Sequence, residues 1–436
     1  MECVNCMLNG IKESLYFCGV IMEPAQEARK LEIIELLKGQ KLDSSFAEVL
    51  TLLDWTMPDG PIECPEFLKA EFIEKYLPEL VWFDDLKDRL IAVAEELGKD
   101  SVCCSIMTAV YMGLYVDRKN VNWGLIQPQP YFGENAGLPV LLLAIASIPL
   151  FYQRYASYSI PKEYAHHHAE WIGGAVKIYQ AAHEGKPGFT SSQIFWLSLG
   201  AAGKITRVGR FEFAIDDFSE WWMPAIYINK TTREHVVFAR DGWKFNSVGD
   251  RLPNEATEGI EFTTTLVETD DTITGYTFNT SDSSLVRELV TIKKEEWTLQ
   301  AKVGDKVLGL HIPGGRSMDF EEAKRTLPLA LDFFKKYRGV EAKLITCESW
   351  ILNEQWLQRL PAESNLVKFM KYGRIFKYPV FNTQEGIFFV FGHDKIDPAT
   401  HKADNKLQQT MIDMLNEGIP VKAGGIYFTP DMVRLD

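Results

Sequence analysis

Positive charge is scarce in this 436-residue sequence: 46 Lys and Arg stand against 60 Asp and Glu, for a net charge of −14. The deficit is uneven, because residues 1–200 hold 16 of the cations and 26 of the anions. No basic arm or face is left to neutralise a phosphate backbone, so no nucleic-acid partner is expected. Long apolar runs are missing as well. The most apolar window, Leu138 to Phe151, falls short of the ~20 residues that a spanning helix needs. Pro139 and Pro149 interrupt it, so it belongs in a core and no membrane span is expected. Glu2, Lys12 and Glu13 break what would be the apolar stretch of a secretory signal, so a cytoplasmic location is expected.

Cysteine is sparse, at seven residues, and Cys103 and Cys104 are adjacent. That pattern suits reduced thiols better than a disulfide framework. Cys3-x-x-Cys6 has the spacing of half a zinc site, but no second pair follows it. His166, His167 and His168 are consecutive, so on a helix they point to different sides and cannot all hold one ion. No metal is expected, and no repeat of fixed period is present.

The pattern that is present divides the chain. Apolar residues recur at three and four from Leu8 to about Arg118, as in Leu31, Ile34 and Leu37, which is helix periodicity. Ser45 with Glu48 has the spacing of a capping box, and Asp100 can cap the next helix. Leu138–Phe151 and 161–184 continue the helical pattern. From Arg210 onward come β-rich runs bounded by turn residues, including FEFAI, PAIYI, HVVFA and LVRELVTI. The expected organisation is α+β. A helical N-terminal domain over 1–200 precedes a β-rich region over 201–306 and an α/β C-terminal domain over 307–436. In that last part strands are expected at 342–346, 374–378, 386–391 and 421–428, and helices at 354–360, 364–371 and 403–416.

One stretch stands out. Val307, Leu308, Leu310 and Ile312 form a buried-strand pattern, and Pro313 stops sheet pairing. Gly314 and Gly315 then free the backbone, and Asp319 can cap the helix that follows. A helix N-terminus after such a turn presents unpaired N–H groups, which suit phosphate or pyrophosphate. A plain strand-to-helix connection is the alternative.

Four blocks in fixed order carry a family resemblance. They are IASIPLFYQRYASYSIP (145–161), VGRFEF (208–213), EEW…VGDKVLGLHIP (295–313) and CESWIL…LPAESNLVKF (347–369). On these the chain, from about Leu138 to Asp436, resembles a bacterial family of acyltransferase-domain proteins. The C-terminal part of that family is GNAT-like, after the N-acetyltransferases that use acyl-coenzyme A. The resemblance implies a GNAT-like fold in the β-rich and C-terminal regions, with acetyl-CoA or another acyl-CoA as co-substrate. It also implies a donor site at the strand-to-helix turn, formed by Ile312, Gly314, Gly315, Arg316 and Ser317. Asn365 and Tyr372 match an asparagine, six residues and a tyrosine, where the family's tyrosine protonates the departing thiolate; packing is the alternative role for Tyr372.

Acyl transfer from a thioester needs a base for the acceptor and an acid for the thiolate. His311, at the end of the focal strand, has the right titration range for the base, with a buried, backbone-bonded histidine as its alternative. Glu348, placed beside that strand by the expected sheet, can act as base or orient His311; a solvated loop carboxylate is the other reading. Cys347 is a further candidate, as nucleophile. Trp123, Tyr131 and Phe132 on one side of residue 200, and Phe218, Trp221 and Trp222 on the other, are able to line an acceptor cleft. Two functions follow from different classes. One is acyl-CoA-dependent transfer to a small-molecule amine or hydroxyl; the other is a non-catalytic GNAT-like protein that binds a small ligand or a partner.

Overall fold

The computed structural model describes residues 22–80, 86–119, 121–314, 318–392 and 395–434. It separates into two compact units, Met1–Lys204 and Ile205–Asp436. Residues 306 and 307, where the sequence suggested a further division, lie together inside one strand.

The first unit is helical. Its longer helices are Pro24–Leu37, Lys87–Gly98, Ser101–Tyr111, Ile148–Ser157 and Lys162–Ala182. Asp100 caps its helix as expected, accepting from the amides of Val102 and Cys103. The proposed capping box at Ser45 does not form. Asp43 is the cap, accepting from the Ser45 amide at 2.9 Å, because Ser45 already lies within the first turn. The apolar stretch from Leu138 is two helices, Leu138–Ile145 and Ile148–Ser157, with Pro139 and Pro149 in their first turns, where proline's missing N–H costs nothing. Together, Leu138–Ser157 is long and apolar enough to cross a membrane, but 72% of its apolar window is buried inside the protein. The three histidines diverge: His166 meets Glu79 at 2.7 Å, His167 faces Glu170, and buried His168 pairs with the Tyr155 hydroxyl at 2.6 Å.

The second unit holds fourteen described strands. They are β1 (Ile205–Val208), β2 (Phe211–Asp217), β3 (Ala225–Asn229), β4 (His235–Phe238), β5 (Lys244–Phe245), β6 (Phe262–Thr263), β7 (Leu266–Glu268), β8 (Thr272–Phe278), β9 (Leu285–Lys293), β10 (Trp297–Leu299), β11 (Lys306–His311), β12 (Ile345–Ser349), β13 (Arg374–Phe376) and β14 (Gly424–Phe428). The central sheet runs β1-β2-β11-β12-β14-β13. Its only parallel pair among the described strands is β11 with β12, joined by the helix Phe320–Arg338. A second antiparallel sheet, β10-β3-β4-β8-β7 with β9 on β8, comes from the segment between β2 and β11.

Strand alternation assigns two faces to the central sheet. Phe213 meets Phe334 of the helix Phe320–Arg338, and Phe211 meets Phe369 of the helix Asn365–Tyr372, so one face is covered by helices. On the other face Val307, Phe376 and Tyr427 pack with Ile226, Val237 and Phe278 of the second sheet. The chain order therefore builds a layered unit of sheet, sheet and helices. One expected strand is corrected: Ile387–Phe391 is a short helix, bounded by Gly386 and Gly392 at φ +79° and +76°. Its aromatic run has β propensity, but left-handed glycines at both ends turn the chain out of any ladder.

Candidate active site

The site begins where the parallel pair comes apart. β11 and β12 are in register only at Leu308↔Ile345 and Gly309↔Thr346. Beyond that point β11 stays with β2 as far as His311↔Glu212, while β12 stays with β14 as far as Ser349↔Gly424. Each strand follows its outer neighbour, and the sheet opens between them. In a parallel pair alternate residues turn their backbone groups to the same neighbour. The next rungs would have joined Leu310 and Ile312 to Glu348, so their backbone groups border the opening. Pro313, which has no N–H, follows at once and prevents the ladder from resuming.

The same registers line up side chains. Directly opposite residues share a face with Cβ atoms about 5 Å apart. Arg207 on β1 is opposite Glu212 on β2, and Glu212 is opposite His311 on β11. Thr346 shares a face with Gly309, so Glu348, two residues on, points to the same side as His311 across the opening. Opposite Glu348 lies Gly425, whose missing side chain admits the Phe376 ring; a Cβ there would lie 2.3 Å from it. The result is a row across the sheet: Arg207, Glu212, His311, Glu348, then an aromatic plug. Arg207 and Glu212 are 5% and 1% exposed. Asp216 adds a carboxylate on this face, since a Cβ at Gly309 would meet its Oδ2 at 2.3 Å.

The turn after β11 is anchored from below. Arg210, 2% exposed, donates from Nη2 to the Pro313 carbonyl at 3.0 Å, and its own amide donates to the Thr326 hydroxyl at 3.1 Å. Gly209 makes this contact possible: it sits at φ +56°, and a Cβ there would lie 2.5 Å from Thr326 Oγ1. The β1–β2 hairpin thus clamps the turn onto the middle of the helix that follows it. Ile312 is half-buried and Gly314 exposed, whereas Gly315, Arg316 and Ser317 lie outside the described residues, as do Cys3 and Cys6. Asp319 caps the helix as expected, accepting from the Glu322 amide at 2.8 Å.

Tyr372 is placed elsewhere. Its ring packs against Phe320 and Phe428, and its hydroxyl donates to the Met432 carbonyl at 3.5 Å. Phe428 is on the helix-covered face, so the structure sets Tyr372 beside the start of the helix after the turn, on the opposite side of the sheet from His311 and Glu348. Cys347 also faces the helices and is 2% exposed, because it alternates with Glu348. Both were expected to follow their strand; they are part of it, since β12 extends to Ser349.

A family model described as the GNAT-like C-terminal domain matches residues 205–427. The chain belongs to that family. No curated protein sequence matches it. Among solved structures, an acyltransferase in complex with decanoyl-CoA and teicoplanin aligns with a TM-score of 0.59 at 16% identity, over 92% of this chain and 99% of that one. An acyltransferase in complex with CoA and 10C-teicoplanin gives 0.59 at 15%, and an acyltransferase mutant in complex with octanoyl-CoA gives 0.58 at 15%, with the same coverage. At such identity the likeness is one of fold.

Within the GNAT-like domain, four groups near the opening escaped the sequence reading: Arg207, Glu212, Asp216 and Glu385. Glu212 was legible only as part of a β-rich run, and Arg207 lies ahead of the first such run; the signal is that FEFAI places a carboxylate inside an apolar strand, where one is seldom buried without a task. Glu385 comes from a different part of the chain. Its amide donates to the Val421 carbonyl, and Gly386 next to it lies under the Trp350 ring, directly after β12. Burial pushes its carboxyl up to about 7.

Proposed function

We propose that the protein is an acyl-CoA-dependent acyltransferase acting on an amine-bearing small molecule. The observation that carries this reading is the opening between β11 and β12, bordered by unladdered backbone on both strands and flanked on one face by His311, Glu212 and Glu348. An extended thioester arm has amides that can complete the missing rungs. We assign the pyrophosphate to Ile312, Gly314, Gly315, Arg316 and Ser317, ahead of a helix start whose N–H groups suit an anion. The solved acyltransferases of the same fold, in complex with decanoyl-CoA, octanoyl-CoA and CoA, support this choice of donor.

The chemistry assigned to the row is general-base acyl transfer. Neutral His311 takes the proton from the acceptor nitrogen as that nitrogen attacks the thioester carbonyl carbon. The C–N bond forms, the C–S bond breaks, and the thiolate takes up a proton. Tyr372, beside the turn on the other face of the sheet, is the proposed acid for that last step. Glu212, opposite His311 and Arg207, holds the imidazole in orientation and stabilises it when it becomes charged. Glu348 and Asp216 add negative charge to the same face, which favours an amine that arrives as an ammonium over a hydroxyl. Reduced thiols agree with a cytoplasmic protein: Cys64, Cys103, Cys104 and Cys347 are all free.

Two measurements test the reading. An acyl-CoA at about 100 times its Kd stabilises the protein by roughly 2.7 kcal/mol, visible as a thermal shift. Release of free CoA thiol, followed with candidate amines across acyl lengths from acetyl to decanoyl, then reports turnover. Binding without thiol release for any amine would move the protein to the non-catalytic, ligand-binding class.

A further inference from the structure

The central sheet ends at β13, two strands beyond β12, and there the protein carries a second concavity that the acyl-transfer reading does not use. It has a volume of about 570 Å³ and is lined by Arg233, His235, Thr280, Trp297, Lys371 and Arg374, among others. Its walls come from β4 and β10 of the second sheet, from the β8–β9 loop, and from the junction between the helix Asn365–Tyr372 and β13. It belongs to the face opposite the helices, since Arg374 is in register with Tyr427.

Charge is what marks this pocket. The chain has a net charge of −14, so cations have an excess of carboxylates to pair with, and Arg233 does so, with Asp431. Arg374 does not: the one hydrogen bond of its side chain among the described residues runs from Nη1 to the Gly373 carbonyl at 3.3 Å. Lys371 likewise has no carboxylate partner among the described residues. Glu234 is the single carboxylate in the lining among the described residues, and it accepts from the Thr232 hydroxyl at the rim. The Ile375 amide donates to the Thr280 carbonyl at 3.1 Å, which ties the β8–β9 loop to β13 and keeps Thr280 in the pocket wall. His235 closes the floor, with Nδ1 3.0 Å from the Tyr427 hydroxyl and its ring stacked on that of Tyr427. When the hydroxyl donates to Nδ1, the proton of the neutral ring sits on Nε2 and is available as a further donor.

We propose that this pocket is a second ligand site, for a small molecule carrying a phosphate or diphosphate group, held by Arg374, Lys371 and the Thr280 hydroxyl. Two cations without a carboxylate partner among the described residues, lining with Thr280 a concavity of small-molecule size, supply what such an anion needs. His235 reports on occupancy. Burial, then Arg374 and Arg233, hold its pKa down to about 4, and an anion between those cations and the ring offsets their repulsion.

Inorganic pyrophosphate is the probe, titrated into the full chain by calorimetry with and without saturating CoA. The expected result is one pyrophosphate that CoA does not displace. Arg374→Gln weakens it about tenfold or more, the loss expected when a charge-assisted hydrogen bond to the anion is removed. Lys371→Gln, a change at an exposed position that leaves the fold intact, weakens it several-fold. NMR of the His235 ring shows its titration midpoint rising when pyrophosphate is present. The proposal is overturned if both variants bind as tightly as the parent, if CoA displaces all bound pyrophosphate, or if the parent binds none at millimolar concentration.

Discussion

Glu212 is the residue on which the candidate chemistry turns, because it is buried between an arginine and a histidine on neighbouring strands. A carboxylate opposite an imidazole favours the imidazolium, so removing its charge lowers the pKa of His311. Glu212→Gln should therefore slow turnover about 10- to 100-fold and move the acid limb of the pH–rate profile to lower pH, with donor affinity unchanged. His311→Gln should abolish that limb. A Glu212→Gln enzyme with an unshifted profile would leave Glu212 a structural residue. A different group of charges governs stability. Lys422 pairs with Asp250 and lies 2.9 Å from Glu354, which also meets Lys377 at 2.5 Å, all four being largely buried. Burial raises the Glu354 pKa, but Lys377 and Lys422 outweigh it and hold the carboxyl below its usual range. A depressed carboxylate contributes stability above its unfolded pKa and loses it as pH falls through the folded one. Glu354→Gln should cost about 3 kcal/mol in urea unfolding at pH 7, the scale for breaking a buried pair. The gap between variant and parent should close as the pH falls below that range.

At the scale of elements, the β1–β2 hairpin acts as a clamp on the turn after β11. Arg210 ties the Pro313 carbonyl and Thr326 together, and Gly209 gives the close approach. Arg210→Ala should leave the sheet assembled, seen as an unchanged far-ultraviolet spectrum, while raising the KM for acyl-CoA several-fold. Unchanged KM and kcat would separate the clamp from donor binding. Element type was legible wherever periodicity was long. The amphipathic helix Phe320–Arg338 with its Asp319 cap is an example, as is the strand running into Pro313. It failed at Gly386–Phe391, where an aromatic run suggested a strand; two glycines with positive φ impose a helix instead, and φ is invisible in sequence. Ser45 failed for a related reason: several capping residues were adjacent, and only the backbone decides which stands outside the first turn.

For the whole molecule, the division at Lys204 and Ile205 carries a prediction of its own. Residues 205–436 contain the central sheet, the second sheet packed on it and the opening, so this fragment should unfold cooperatively by itself and bind acyl-CoA. Circular dichroism and a thermal shift with octanoyl-CoA check both parts. A fragment that is soluble but shows no cooperative transition would mean that the second unit depends on the first.

The sequence by itself determined the succession of helical and β-rich halves, the strand–turn–helix stretch at Val307–Lys336, and the presence of His311 and Glu348 as chemistry-bearing residues near strand ends. These follow from periodicity, turn residues and caps, which act over a few residues. Tertiary structure alone decided that Glu212 faces His311, that Tyr372 stands on the other side of the sheet, and that β11 and β12 part beyond Gly309 and Thr346. Pairing between strands far apart in sequence is set by register, and a slip of one residue reverses every face. No local pattern in either strand records which residue of the other it will meet.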